Sequence, residues 1–378
     1  MAAQTNIDWA DSTFNGWIGC TKVSPACDNC YAAVATPSRT MSIEWGAGKP
    51  RHRTSAANWR QPLLWNANAD EFRQCDVCGW RGIRKPRWAV CLHCNNGLMQ
   101  PTRRRVFCSS LSDVFDNEVP AEWLVDLLDL IRLTPNLSWQ ILTKRIGNWE
   151  ARLTVAHQHV VKTMGGGTAE YATHPLWALG MWIQDWLAGK PPANVSIGAT
   201  ICNQGEADRD VTKLLRVPAV VRFLSIEPML GEVNMRRAIC SGLGCGACHQ
   251  NGSDPSLYKR RVCTVCDRSE QQIREDHGFV YMSEVPKIHQ IITGGESGSH
   301  ARPSNPQWFR NIRDYCAETG TAYFHKQNGE FVSVSEVEGP GKHFTFPDGR
   351  TVRRTGKKLA GRTLDGVTHN EFPRVTNG

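Results

Sequence analysis

A barrel-like α/β fold is what this 378-residue sequence predicts, and three observations predict it. Six short apolar runs, at 105–108, 138–142, 195–199, 220–224, 288–292 and 322–325, have the near-continuous character of parallel strands covered on both faces. Helical periodicity lies between them, at 122–131 after the first run and at 306–313 before the last. Polar residues stand just after every run: Ser110 and Asp113, Thr143-Lys144-Arg145, Thr200, Ser225 and Glu227, Glu296, and Lys326-Gln327. Ligand sites in parallel α/β folds collect at the carboxyl ends of strands, so one shared pocket is expected there. The alternative is a set of ordinary solvated loops.

Composition narrows the classes. The chain is 40% hydrophobic, enough for one large core with smaller modules. Its 44 Lys and Arg against 36 Asp and Glu give a net charge of +8, which suits an acidic partner such as DNA. No apolar run approaches the roughly 18 residues that span a bilayer. The start, Met1 to Asn6, lacks a charged-then-apolar signal pattern. The expectation is a cytoplasmic protein with no membrane partner.

Fifteen cysteines in such a chain are unlike a disulfide framework. Eleven fall into three groups with ligand-like spacing, leaving Cys108, Cys202, Cys240 and Cys316 apart. The first group is Cys20, Cys27 and Cys30, three thiols with no fourth cysteine or histidine nearby. A closed zinc site needs four ligands, whereas a cubane iron–sulfur cluster on three cysteines leaves one iron open. Spacing alone leaves both readings standing, with Cys108 the candidate to complete a zinc site. The second group is Cys75, Cys78, Cys91 and Cys94, and the third is Cys245, Cys248, Cys263 and Cys266. In each, two CxxC pairs are separated, by twelve and by fourteen residues, and each matches tetrahedral zinc. An auxiliary iron–sulfur cluster is the alternative.

These groups set the domain plan. Residues 1–70 form the N-terminal part of the barrel, which carries the three-cysteine loop. A zinc-ribbon-like insertion occupies 71–100, the central barrel 101–239, and a second zinc-ribbon-like insertion 240–270. The barrel closes over 271–330, and a basic extension without clear periodicity covers 331–378. Residues 155–190 hold a Gly165–Gly167 break and then Trp177, Trp182 and Trp186, read as core packing ahead of a base-stacking platform. The basic clusters at 49–53, 103–105, 259–261 and 353–354, with Arg81, Arg84, Lys85 and Arg87 beside the first ribbon, are candidate phosphate contacts.

Read in order, 7–31, 110–115, 142–145, 223–228, Gly294-Gly295-Glu296-Ser297-Gly298 with Arg302-Pro303, Lys326-Gln327 and 361–366 resemble the landmarks of a phage-associated three-cysteine radical S-adenosylmethionine (SAM) family. They span nearly the whole chain. The resemblance implies a partial (β/α) barrel of the radical SAM type, with the cluster loop after the first strand. The sequence departs from the commonest pattern of such enzymes. Six residues separate Cys20 from Cys27, Tyr31 follows the last cysteine where an aromatic usually precedes it, and the Gly294-Gly295-Glu296 triplet, which resembles the motif that binds the methionine amino group, comes late, so that Ser109–Asp113 after the likely second strand competes for that role.

The resemblance further implies a [4Fe–4S] cluster on Cys20, Cys27 and Cys30, SAM as cofactor and an electron donor; the two structural zinc sites rest on the CxxC spacing and lie in insertions that are this sequence's own elaboration. Ser110, Asp113 and Glu296 are the candidate cofactor-binding residues, and Glu227, Lys144 and Lys326 the candidate catalytic ones. The implied reaction is isomerisation of N-α-glycinylthymidine to C-α-glycinylthymidine in phage DNA hypermodification, which helps the DNA evade host restriction. Other phage DNA-modifying enzymes would be partners in the host cytoplasm. Radical SAM repair or modification of another DNA or RNA base, and a non-enzymatic zinc protein binding nucleic acid, are the alternatives.

Overall fold

The computed structural model describes residues 4–34, 38, 40–84, 90–165, 173–243 and 287–373. The main sheet has seven strands: β1 (Ser12–Phe14), β2 (Arg104–Cys108), β3 (Leu137–Thr143), β4 (Val195–Thr200), β5 (Val221–Ile226), β6 (Gln290–Gly294) and β7 (Ala322–Gln327). Their order in the sheet is their order in the chain. The pairs β1–β2, β2–β3, β5–β6 and β6–β7 are parallel. Sequential order without a reversal is the topology of an open (β/α) barrel and not of a doubly wound sheet. The barrel-like α/β expectation therefore holds at this level. All six apolar runs became strands because they are buried on both faces; every residue of β6 is buried. β1 is only three residues long, too short to leave a periodic signal.

The helices are α1 (Ala56–Ala67), α2 (Ala121–Arg132), α3 (Trp149–Thr163), α4 (Trp177–Leu187), α5 (Gln204–Arg216), α6 (Met235–Leu243) and α7 (Pro306–Thr319). Local chemistry sets their ends. Asn203 caps α5 by accepting from Glu206 N at 3.0 Å. Asn305 caps α7, Pro306 opens it, and Gly320 ends it in the left-handed region at φ 65°. The apolar stripe of α2, from Leu124 to Ile131, is buried, as its spacing requires.

The chain divides into two compact units. One comprises Met1–Val23, Cys30–Ile197 and Pro218–Val220, and the other Ser24–Asn29, Gly198–Val217 and Val221–Gly378. The first buries Phe14 edge-on to Trp139 at 5.7 Å, together with Phe115, Leu124, Leu127 and Ile131. Trp186 is 1% exposed and sits edge-on to Trp149, so this tryptophan is core. The second unit buries Phe223, Ile291, Ile292, Tyr323 and Phe324.

Two three-stranded sheets and one two-stranded sheet, Trp17–Ile18 with His52–Arg53, are added. Phe72–Cys75, Arg81–Ile83 and Met99–Pro101 form an antiparallel sheet within the first cysteine insertion. Phe331–Ser333, His343–Thr345 and Thr351–Arg354 form another in the C-terminal region, where the sequence shows no periodicity. Strands of three or four residues joined by Gly- and Pro-bearing turns do not repeat long enough to be read. The second cysteine insertion, with Cys245, Cys248, Cys263 and Cys266, lies outside the described residues, as does 166–172. No described helix is long and apolar enough to cross a membrane.

Candidate metal centre and cysteine loop

The sulfurs of Cys75, Cys78, Cys91 and Cys94 all lie within 4.8 Å of one another. Cys75 to Cys94 and Cys78 to Cys91 are each 3.7 Å apart. A zinc–thiolate bond of about 2.3 Å places tetrahedral sulfurs about 3.8 Å apart, so the four thiols fit a metal ion such as zinc. Two tight turns bring them there. Gly79 N donates to Cys75 O at 3.1 Å, and Asn95 N donates to Cys91 O at 2.8 Å. Gly97 must be glycine, because a Cβ there would stand 2.2 Å from Cys75 Sγ. Backbone N–H groups of Asn96 and Gly97 stabilise the Cys94 thiolate and bring its pKa down to about 7. Cys75, Cys91 and Met99 form this module's own small core against Trp80. Among the described residues this is the one group of three or more Cys, His, Asp or Glu with that closeness.

Cys20 and Cys30 belong to the first unit and Cys27 to the second. Cys20 follows β1 and meets Arg145, whose Nη1 donates to its Sγ at 3.2 Å. Arg145 Nη2 also donates to Thr21 O at 2.6 Å. The same guanidinium pairs with Asp113 at 3.2 Å, both side chains being almost wholly buried. Burial and the nearby Asp113 raise the Cys20 thiol to about 11, against the pull of Arg145. Thr21 Oγ1 accepts from Arg51 at 2.8 Å, and Arg51 is buried in a pair with Asp116. Cys30 packs against a small cluster of Ile18, Ala32, Ile43 and Leu111. Tyr31 Oη donates to Ser110 O at 2.9 Å, and Asn15 donates to Ser110 Oγ at 2.9 Å.

In the second unit Cys27 is buried at the end of the short helix Pro25–Cys27, which Ser24 caps by accepting from Ala26 N at 3.0 Å. Buried Cys202, pushed up to about 12 by burial and Glu206, touches the same turn through Ser24 and Ala26. Glu227, at the end of β5, accepts from Lys326 Nζ at 2.8 Å and from Gln327 Nε2 at 2.9 Å. Glu296, after β6, accepts from Arg302 and Asn29. Those bonds outweigh burial and hold its carboxyl below the ordinary range. Cys108 is buried and raised to about 12; it stands in no described ligand group.

The strand-end residues thus split by how much bonding capacity they keep. A carboxylate offers about four acceptor positions. Asp113 uses four on its own chain, accepting from Thr143 Oγ1 at 2.6 Å, Phe115 N at 3.1 Å, Lys144 N at 2.9 Å and Arg145. Glu227 uses two. No described group pairs with the half-buried Lys144 ammonium, although its backbone N–H is taken by Asp113.

Most of the described basic residues already have partners within the chain. Arg51 is buried with Asp116, Arg53 pairs with Asp126 at 2.6 Å, and Lys49 pairs with Glu44 at 2.7 Å. Arg104 stacks on Phe72 at 4.7 Å, and Arg81 and Arg105 both face Asp11. Arg353 is buried, and Arg354 donates to the Gly298 and Ser299 carbonyls. Among them Arg51 is paired in the interior, where an unpartnered guanidinium would be costly. The cluster at 259–261 lies outside the described residues.

Arg145 and Arg302 were not singled out from sequence as site residues. Their only signal was position, Arg145 beside Lys144 and Arg302 beside Pro303. An α/β chain with a tetrathiol centre and a separate cysteine loop at its strand ends is the class these observations define. The chain belongs to the family described as protein of unknown function (DUF5131), whose family model matches residues 4–373. Searches of the curated proteins and of the solved structures found no match.

Proposed function

We propose that this protein is a radical SAM enzyme that carries a [4Fe–4S] cluster on Cys20, Cys27 and Cys30, with zinc as a structural ion in the four-thiol module. The observation that carries this reading is the bond from Arg145 to Cys20 Sγ beside a complete, separate four-thiol site. Arg145 donates to the Cys20 sulfur, and a cation there offsets the negative charge of a thiolate ligand. When bound, the cluster with its open iron supplies one-electron cleavage of the SAM sulfonium bond. Lys144 and Lys326 then serve to hold carboxylate or phosphate, and Glu227, with acceptor capacity left, holds an amine or moves a proton. Ser110, Asp113 and Glu296 order the cofactor side.

The substrate class is a DNA base, and the specific substrate is the N-linked glycyl group of N-α-glycinylthymidine, converted to the C-α-linked isomer. The glycyl carboxylate suits a lysine at a strand end, and the α-hydrogen gives a radical stabilised by both neighbours. Reaching it in a duplex requires the base to leave the stack. One observation favours a second reading: the four-thiol module fits zinc, so a non-enzymatic zinc protein binding nucleic acid is the competitor.

Anaerobic reconstitution separates the two. The expected result is about four irons per chain beyond zinc, absorbance near 400 nm, and 5′-deoxyadenosine from SAM and dithionite. Zinc on the loop cysteines with no such product sinks the enzyme. Cys27→Ala should abolish SAM cleavage. For the substrate, DNA bearing N-α-glycinylthymidine is incubated and digested, and the absence of the isomeric nucleoside removes that assignment.

A further inference from the structure

The loop that follows β6 spends its polar groups on the turn that carries Cys27. Glu296 is 5% exposed. Its Oε1 accepts from Arg302 Nη2 at 2.6 Å, and its Oε2 accepts from Arg302 N at 2.7 Å, Arg302 Nε at 2.9 Å and Asn29 Nδ2 at 3.1 Å. That accounts for about all the acceptor positions a carboxylate has. The guanidinium, oriented by this fork, reaches onward. Arg302 Nη1 donates to Asp28 Oδ2 at 3.0 Å, and Nη2 donates to Pro25 O at 2.9 Å. Asn29 Nδ2 closes the ring by donating to His300 O at 3.0 Å. Residues on both sides of Cys27 are therefore gripped from one loop.

The loop itself is fixed to the end of β7. Gly295 N donates to Gln327 O at 2.9 Å, and Glu330 N donates to Glu296 O at 2.9 Å. A Cβ at Gly295 would stand 2.0 Å from Asn328 O, so the two backbones approach closely only because this residue is glycine. The glycines of Gly294-Gly295-Glu296 seat the loop, and the glutamate aims the arginine.

We propose that Glu296 and Arg302 are positioning residues that hold the Pro25–Asn29 turn in a ligand-ready conformation, and that the Gly294-Gly295-Glu296 triplet serves this turn rather than the amino group of SAM. The proposal deepens the functional reading by stating what Glu296 is for. It rests on that reading only where it calls Cys27 a cluster ligand. A turn already fixed loses little further conformational entropy when its thiol is ligated. A fork from arginine to carboxylate is also more directional than a lysine contact.

The test uses the full-length protein before cluster loading. Pulsed alkylation followed by peptide mass spectrometry reads the rate at Cys27, with buried Cys108 as the internal reference. Arg302→Ala should raise the Cys27 rate about tenfold, as expected when a local opening is no longer held shut. Glu296→Ala should do the same, Arg302→Lys should recover part of the protection, and the rate at Cys108 should not move. If Arg302→Ala fails to fold, Asn29→Ala removes one link of the ring and should still raise the Cys27 rate at unchanged Cys108. A Cys27 rate within twofold of wild type in folded Arg302→Ala or Glu296→Ala overturns the proposal. Iron uptake is read in parallel. Wild-type protein that takes up no cluster defeats the functional reading, while the alkylation rates still decide the clamp.

Discussion

Cys75, Cys78, Cys91 and Cys94 converge to within 4.8 Å in a module with short antiparallel strands of its own. Cys20 and the Cys27 turn are instead secured by arginines from distant strand ends, Arg145 in one unit and Arg302 in the other. The four-thiol module has a buried cluster of only Cys75, Cys91 and Met99, so a metal ion on its thiols would add much of its order. Cys20 and the Cys27 turn lie against acid–arginine pairs, the buried Asp113 with Arg145 and the buried Glu296 with the partly exposed Arg302. The four thiols are gathered close enough to share a metal ion, whereas Cys20 and the Cys27 turn are each held by an arginine of their own unit.

The most severe way to break this contrast is to remove one ligand from the closed site. Cys75→Ser should release the metal of that module and open residues 72–101 to proteolysis, because structural zinc supplies on the order of 10 kcal/mol to such modules. Iron bound by the loop should be unaffected, measured as separate zinc and iron contents. Cys27→Ala should show the reverse, losing iron with zinc and melting temperature retained.

Arg145→Met comes next. It strands buried Asp113 and should cost about 3–5 kcal/mol in urea unfolding, the usual result of halving a buried pair. A loss below about 1 kcal/mol would mean that the loop does not depend on that pair.

Acid should separate the sites more gently. Glu296 is held below its ordinary value of 4.5, so the stability it lends is full above that value and is lost only as pH falls through its lower folded value. Lowering pH from about 7 to about 5 protonates unligated thiols and should release metal from the four-thiol module, followed with a zinc-binding dye. Over the same window the Pro25–Asn29 turn should keep its hydrogen-exchange protection. Turn and metal lost together would break the distinction.

The smallest structural effect is expected at Lys144. Its ammonium has no described partner, so Lys144→Ala should change stability by less than about 0.5 kcal/mol. An anion-binding role shows instead as weaker binding of a carboxylate-bearing nucleoside by titration calorimetry.

Much of the frame was legible. The runs at 195–199 and 288–292 read as buried strands because apolar residues covered on both faces leave no alternation to confuse. The four-thiol site was legible because CxxC places two sulfurs on one turn whatever surrounds them. That Arg51 and Arg105 each meet a buried carboxylate was not legible, since charge alone does not reveal what awaits inside.

By itself, then, the sequence determined what short spacing can determine: strand runs, helix ends and the paired thiols, each set by neighbours a few residues away. Only the tertiary structure decided which charges meet. Arg145 reaches Cys20 across 125 residues, and Arg302 reaches Asp28 across 274. Such pairs are chosen by which strand ends the sheet brings together and by the cost of leaving a buried charge alone, and neither is written in local order.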